Sequence, residues 1–158
     1  MNRTSWQPEK KFAIRMYKSV TDSNILVSSA IMKMGVPNQI VRQAGISFTL
    51  CICEEILQET ERILRSARLR KKYRYTDDDL AEFLTRLRDP HVAQMVKNLP
   101  QVAVVRDDPS DNVIVACAQK AEAEHIVTGD QHLLHLKMIG LIKIVTPREF
   151  LTLLANPT

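Results

Sequence analysis

Val20-Thr21-Asp22-Ser23-Asn24 closes a short extended run, residues 16–21, and opens an apolar helical run, residues 24–32. This pattern places Asp22 where a β-strand turns into an α-helix. In α/β proteins, ligands bind in the crevice at the carboxyl ends of parallel strands. Asp22 is therefore the first residue at which we expect chemistry.

Two later junctions also carry aspartates. Asp130 follows the apolar stretch His125-Ile126-Val127-Thr128, and Asp111 ends the cluster Arg106-Asp107-Asp108-Pro109-Ser110-Asp111, which comes after residues 102–105. Parallel strands end at the same edge of their sheet, so the sequence predicts that Asp22, Asp111 and Asp130 converge.

The composition is that of one globular domain. The chain has 158 residues, of which 45% are hydrophobic and 25% charged, and no apolar run has the length of a membrane span. Residues 1–11 are too polar for a signal peptide, and three cysteines, an odd count, agree with buried thiols in a reducing compartment. We therefore expect a cytoplasmic protein without a membrane partner. The net charge is +4. If several acids gather in one place, the remaining surface is more basic than this total, which suits a polyanionic ligand.

Alternating strand and helix patterns predict an α/β fold, a three-layer sandwich around a central parallel sheet of about five strands. Residues 1–15 are expected to form a mobile arm, and residues 16–155 the domain. Within it, residues 76–88 and 90–99 read as two helices of an insertion, about residues 76–99. The five expected strands are residues 16–21, 48–53, 101–105, 125–128 and 141–145.

The helix after the second strand supplies a further acid. Ile56, Leu57, Thr60 and Ile63 lie on its apolar stripe, and Glu59 falls at the edge of that stripe, about 40° beyond Ile63 on a 3.6-residue wheel. Glu59 is thus the glutamate best placed to face the interior without being buried.

Each aspartate also has a purely structural interpretation, because helices favour Asp at their N-caps and in their first turns. The joint pattern favours a metal site, since converging carboxylates repel one another unless a cation lies between them. Carboxylate oxygens suit Mg²⁺ or Mn²⁺, one or two ions. Asn24 and Thr128 are candidates to orient the ligands, although Asn24 would equally cap a helix and Thr128 end a strand.

A basic and aromatic segment follows the second strand's helix. Its cations could bind RNA phosphates and its tyrosines could stack on bases, whereas the alternative is a solvated helix end. The candidate RNA-binding residues are Arg65, Arg68, Arg70, Lys71, Lys72 and Arg74. A transition-metal site at Asp130, His132 and His135 is a weaker alternative, because zinc sites need four defined positions.

The ordered motifs resemble those of the PIN domain family. They are Val20-Thr21-Asp22-Ser23-Asn24, Cys53-Glu54-Glu55-Ile56-Leu57-Gln58-Glu59, Asp108-Pro109-Ser110-Asp111-Asn112, Val127-Thr128-Gly129-Asp130 and Val145-Thr146-Pro147-Arg148-Glu149-Phe150-Leu151. The resemblance covers about residues 17–154 and is greatest to the prokaryotic toxins of toxin–antitoxin systems, related to VapC.

This resemblance implies a metal-dependent endoribonuclease whose catalytic and metal-binding acids are Asp22, Glu59, Asp111 and Asp130. It also implies an RNA substrate, with an antitoxin protein and a homodimer as candidate partners. The family often has a further acid at the position of His132, and its absence leaves the number of metal ions open. The alternative function is a non-catalytic nucleic-acid or protein-binding module that retains the fold.

Overall fold

The computed structural model describes residues 16–103 and 108–157. The expected N-terminal arm, residues 1–15, lies outside them. Six strands and eight helices occur in the described residues. In chain order they are β1 (Tyr17–Thr21), α1 (Ser23–Ile31), α2 (Val36–Val41), β2 (Phe48–Ile52), α3 (Glu54–Leu64), α4 (Ala67–Tyr73), α5 (Asp77–Arg88), β3 (Ala93–Met95), α6 (Pro109–Ala121), β4 (His125–Val127), α7 (Gln131–Leu136), β5 (Met138–Ile139), β6 (Ile142–Val145) and α8 (Pro147–Ala155).

The strands form one sheet in the order β3-β2-β1-β4-β6-β5. All neighbouring pairs are parallel except β5 with β6, which form an antiparallel hairpin. From β1 the chain winds to β2 and β3 on one side, and it later returns to place β4 on the other side of β1. The order in which the strands are added thus reverses between β1 and β4. Open α/β sheets bind ligands at such a switch point.

Side chains of the central strands are buried on both faces of the sheet. In β2, Phe48 and Leu50 point to one face and Cys51 to the other, and all three are fully buried. Helices therefore cover both faces, as the near-continuous apolar strands predict. Cys51, Cys53 and Cys117 are all free, buried thiols, in agreement with the sequence.

The α/β class and the central, mostly parallel sheet are confirmed, but the third strand was wrongly placed. The predicted helix at residues 90–99 instead contains β3, in which Ala93 pairs with Leu50 of β2. Ala93 and Val96 are buried while Gln94 is exposed, so this segment packs as a strand against the sheet edge. Of the proposed insertion, α5 alone is helical.

The expected strand at residues 101–105 is not found where it can be assessed. Residues 101–103 have no regular structure, and residues 104 and 105 lie outside the described residues. The sixth strand, β5, was not among the five that the sequence predicted. It follows α7, which ends at Leu136, and Lys137 takes a positive φ of 60° that turns the chain back.

None of the described helices has the length and apolar character that crossing a membrane requires.

Candidate metal centre

Asp22 lies at the predicted junction, between β1 and α1, and is only 5% exposed. Its Oδ1 accepts hydrogen bonds from the backbone N–H of Asn24 and from the hydroxyl of Ser23, both at 3.3 Å. Its Oδ2 accepts a bond of 2.9 Å from Thr128 Oγ1. Asp22 thus caps its helix and is also oriented by a residue from the far half of the chain.

Thr128 connects two of the predicted acids. Its fully buried hydroxyl donates to Asp22 and accepts from the backbone N–H of Asp130 at 3.0 Å. Asp130 caps α7, where its Oδ1 accepts from the backbone N–H of His132 at 2.8 Å. The positions of Asp22 and Asp130 are therefore set by one shared hydroxyl.

The first turn of α6 supplies two more carboxylates. Asp108 is the N-cap, and its Oδ1 accepts from the backbone N–H groups of Ser110 at 3.1 Å and Asp111 at 3.2 Å. Asp111, in the same turn, is only 3% exposed. Because α6 packs on β1 and β4, its N-terminus reaches the edge where those strands end.

Three carboxylates meet at this edge. Asp108, Asp111 and Asp130 each offer an oxygen atom, and these atoms lie within 4.8 Å of one another. Opposite ligands of an octahedral Mg²⁺ are about 4.2 Å apart, since each lies about 2.1 Å from the ion. The spacing is close to what one cation requires.

The surroundings of Asp111 disfavour its negatively charged form. Its pKa is raised to about 7 by burial first, and then by the negative charges of Asp130, Asp108 and Asp22. Its buried Oδ2 also has no hydrogen-bond partner in the described part of the chain. A buried oxygen without a donor, surrounded by like charges, fits a divalent cation.

Glu59 is not a member of the three-carboxylate cluster, and its carboxylate is paired with an arginine. Both of its carboxylate oxygens accept from the guanidinium of Arg62, at 2.8 and 3.1 Å, and this arginine lowers the pKa of Glu59. Glu59 also lines a cavity of about 180 Å³ together with Ser23 and Ser110, the neighbours of Asp22 and Asp111. The helix wheel therefore placed Glu59 at the correct side of the fold, while its role as a ligand stays a prediction.

A scan against protein families matches residues 18–132 to the PIN domain. The chain belongs to the PIN domain family. PIN domains are typically metal-dependent nucleases that act on nucleic acid, and the matched region contains all four acids that the sequence singled out. A search of curated proteins finds none that matches this chain.

Some cations of the predicted RNA-binding segment of this PIN domain form ion pairs within the fold, and others do not. Arg65 bonds to Glu61 at 2.8 Å, and Arg70 bonds to Asp77. The exposed cations without an ion pair in the described residues are Arg68, Lys71, Lys72 and Arg74. Their contact with RNA stays a prediction.

Asn24 and the two histidines of α7 make smaller contributions to the geometry. The backbone of Asn24, rather than its amide side chain, contacts Asp22. His132 and His135 are exposed, and neither joins the carboxylate cluster found among the described residues.

Asp108 is the member of the cluster that sequence reasoning missed. It was interpreted only as a helix cap, and it does cap α6. The signal was nevertheless present, because the cap residue and Asp111, three positions later, share the first turn of one helix. A helix cap and an acid in the first turn therefore place two carboxylates close to each other.

Proposed function

We propose that this PIN domain is a metal-dependent endoribonuclease that hydrolyses RNA phosphodiester bonds, and the toxin of a toxin–antitoxin pair. The observation that carries the proposal is the buried, unpartnered Oδ2 of Asp111 among three other carboxylates. Helix capping explains Asp22, Asp108 and Asp130, but it leaves the buried Asp111 carboxylate among like charges, which a cation would neutralise. RNA is met in the cytoplasm, where we propose that the protein acts.

Asp108, Asp111 and Asp130 would hold Mg²⁺ or Mn²⁺, with Asp22 and Glu59 completing the acidic set. When bound, the ion supplies the Lewis acidity that activates water and stabilises the leaving oxygen. In hydrolysis, the water oxygen forms one bond to phosphorus, one P–O ester bond breaks, and the leaving oxygen takes up a proton.

The chain's own residues position the acids. Thr128 holds Asp22 and Asp130 in register through one hydroxyl, and the backbone N–H groups at the start of α6 hold Asp108. These bonds keep carboxylate oxygens directed at one point, which is the orienting role that such contacts have around metals. Release of Glu59 from Arg62 would supply a further ligand from α3.

Cleavage of single-stranded RNA tests this proposal. Mg²⁺ or Mn²⁺ is titrated into the purified protein, and we expect cleavage that EDTA abolishes. Asp111→Asn should lower the rate by about 1,000-fold or more, because the Lewis acid contributes several kcal/mol to the transition state. Asp78→Asn, the same change at an exposed acid of α5, is the matched control and should leave the rate unchanged.

Cleavage that survives both EDTA and Asp111→Asn would overturn the metal mechanism. Absence of cleavage with retained RNA binding would instead identify the non-catalytic binding module. A single-stranded DNA of the same sequence distinguishes a ribonuclease from a general nuclease.

The toxin role is tested by growth. Production of the wild-type protein in a bacterial host should arrest growth, whereas Asp111→Asn should not. The proposal rests on the motifs that resemble the VapC-related branch, from Val20-Thr21-Asp22 to Val145-Thr146-Pro147. Growth unaffected by an enzyme that is active in the tube would refute the toxin role alone.

A homodimer is part of the proposal. The edge formed by β5 exposes Met138 at 48% and Leu141 at 92%, which are large apolar side chains next to a free strand edge. Leu141→Asp should then shift the sedimentation of a dimer to that of a monomer. A wild-type protein that sediments as a monomer at high concentration would refute the dimer.

A further inference from the structure

A second cleft, remote from the carboxylate cluster, gathers positive charge. It has a volume of about 470 Å³ and lies between the end of α1 and α2 on one side and the end of α4 and α5 on the other. We call it the cationic cleft. Four cations line it: Lys33, Arg42, Arg74 and Arg86.

Three of the four cations are not paired within the described residues. Arg42, Arg74 and Arg86 form no ion pair there, whereas Arg70 of α4 pairs with Asp77 of α5. The fourth cation, Lys33, interacts electrostatically with Asp79. Of the two acids in the lining, one, Asp79, is bound in the capping box of α5, and the other is Glu82. Four cations against two acids leave the cationic cleft with a formal charge of +2.

Two tyrosines on either side of Arg74 also line the cleft. The hydroxyl of Tyr75 donates to the carbonyl oxygen of Leu64, which fixes that ring, and Tyr73 is half-buried beneath the ammonium of Lys72, 5.3 Å from the ring centre. Between the tyrosines, Arg74 is the C-cap of α4, where a left-handed conformation with φ 55° ends the helix.

The cationic cleft and the carboxylate cluster lie at opposite ends of α1. Asp22 caps the helix, and Ile31, at its last turn, lines the cleft. Nine residues at 1.5 Å each separate them by about 13 Å along the helix. A single-stranded RNA of a few nucleotides is long enough to contact both.

We propose that the cationic cleft binds single-stranded RNA as a second contact surface, with phosphates on Lys33, Arg42 and Arg86 and a base stacked on Tyr73. Grooves for single strands combine cations that follow the backbone with aromatic rings that stack on bases. An acidic peptide would use the cations alone, and so the tyrosines favour RNA. The ligand rests on the proposed function, but binding here needs neither metal nor cleavage.

Binding is measured by fluorescence anisotropy of a labelled single-stranded RNA of about sixteen nucleotides, at the upper end of what such grooves hold. The protein carries Asp111→Asn, and the buffer contains EDTA. Lys33→Gln, Arg42→Gln and Arg86→Gln are combined in this background. We expect affinity to fall at least about tenfold, and the slope of log affinity against log salt to decrease in magnitude by about 2, at about 0.7 per lost phosphate contact.

The matched control removes three exposed cations elsewhere, by Lys120→Gln, Lys143→Gln and Arg148→Gln. It has the same net charge and should bind as tightly as the parent. Tyr73→Leu should weaken binding by about fivefold or more, because a stacked base is lost. Thermal unfolding checks that each variant is folded, and because Lys33, Arg42 and Arg86 are exposed, the triple variant should unfold like the parent.

Equal loss in the triple variant and its control would overturn the proposal, since charge alone would then explain binding. The proposal also fails if poly-glutamate competes as well as RNA and Tyr73→Leu has no effect, because the cleft would then be a peptide or general polyanion site. Failure of cleavage in the separate activity assay changes neither measurement. Failure of RNA binding at the cationic cleft can therefore be distinguished from failure of the proposed cleavage.

Discussion

Asp111→Asn should stabilise the metal-free protein at neutral and alkaline pH while it abolishes metal binding. In the folded chain the pKa of Asp111 is about 7, because of burial and the neighbouring acids, against an ordinary value of 3.8. A group whose folded pKa is raised binds more protons in the native state than in the unfolded state between these two pH values. The free energy of unfolding therefore falls as the pH rises from about 4 to about 7.

The magnitude follows from the shift. Three pKa units correspond to about 4 kcal/mol at 1.36 kcal/mol per unit, and relaxation around the charged group lowers this to about 2–4 kcal/mol. The asparagine amide removes the charge and offers hydrogen-bond donors to Asp108 and Asp130. At pH 8 in EDTA, the variant should be more stable than the wild type by about this amount, whereas at pH 4 the difference should vanish.

Urea unfolding between pH 4 and pH 8, followed by circular dichroism in EDTA, measures this difference. Asp78→Asn is the control and should follow the wild-type curve. Mg²⁺ should then restore stability to the wild type by mass action but not to Asp111→Asn. If the difference in the free energy of unfolding between wild type and variant does not change with pH, the reasoning about buried, repelling carboxylates is refuted.

Three further perturbations test the site and the fold. Thr128→Val removes the hydroxyl that donates to Asp22. We expect the free energy of unfolding, measured in urea, to fall by about 1–3 kcal/mol, and the Mn²⁺ affinity, measured by calorimetry, to fall 10- to 100-fold. An unchanged affinity would exclude an orienting role for Thr128. Arg62→Ala should raise Mn²⁺ affinity severalfold if Glu59 is a ligand, since the carboxylate no longer has to leave its guanidinium partner; no increase would remove Glu59 from the ligand set. Gly45→Ala should destabilise the fold by about 2–5 kcal/mol, because the φ of this residue is 81° and a Cβ would lie 1.9 Å from a backbone carbonyl oxygen; a stable variant would contradict the described loop.

Much of the fold could be predicted because the signals were local and mutually consistent. The helix that begins at Pro147 is marked by a proline at its first position, and the capping box of α5 by Thr76 and Asp79. Asp22 and Asp130 were placed correctly because each ends a strand of the same parallel sheet. Strand ends and caps are fixed by neighbours in sequence.

The sequence misled where long-range packing decides the outcome. Residues 93–95 have the composition of a helix or a strand alike, and it is the free edge of β2 that makes them a strand. The ion pair between Glu59 and Arg62 is likewise invisible to a helix wheel, which reports a face but no partner. Asp108 had a sufficient structural explanation as a cap, and so its second role became visible only with Asp130 beside it.

The reversal of strand order between β1 and β4 has a consequence for folding during synthesis of the chain. Asp22 is translated early, yet its backbone N–H donates to the carbonyl oxygen of Val127, and the three acids of the cluster are translated between 86 and 108 residues later. A nascent or truncated chain that ends before α6 thus has Asp22 and Glu59 but lacks all three carboxylates of the cluster. If the proposed nuclease activity is correct, that activity would begin only after nearly the whole chain has left the ribosome and folded.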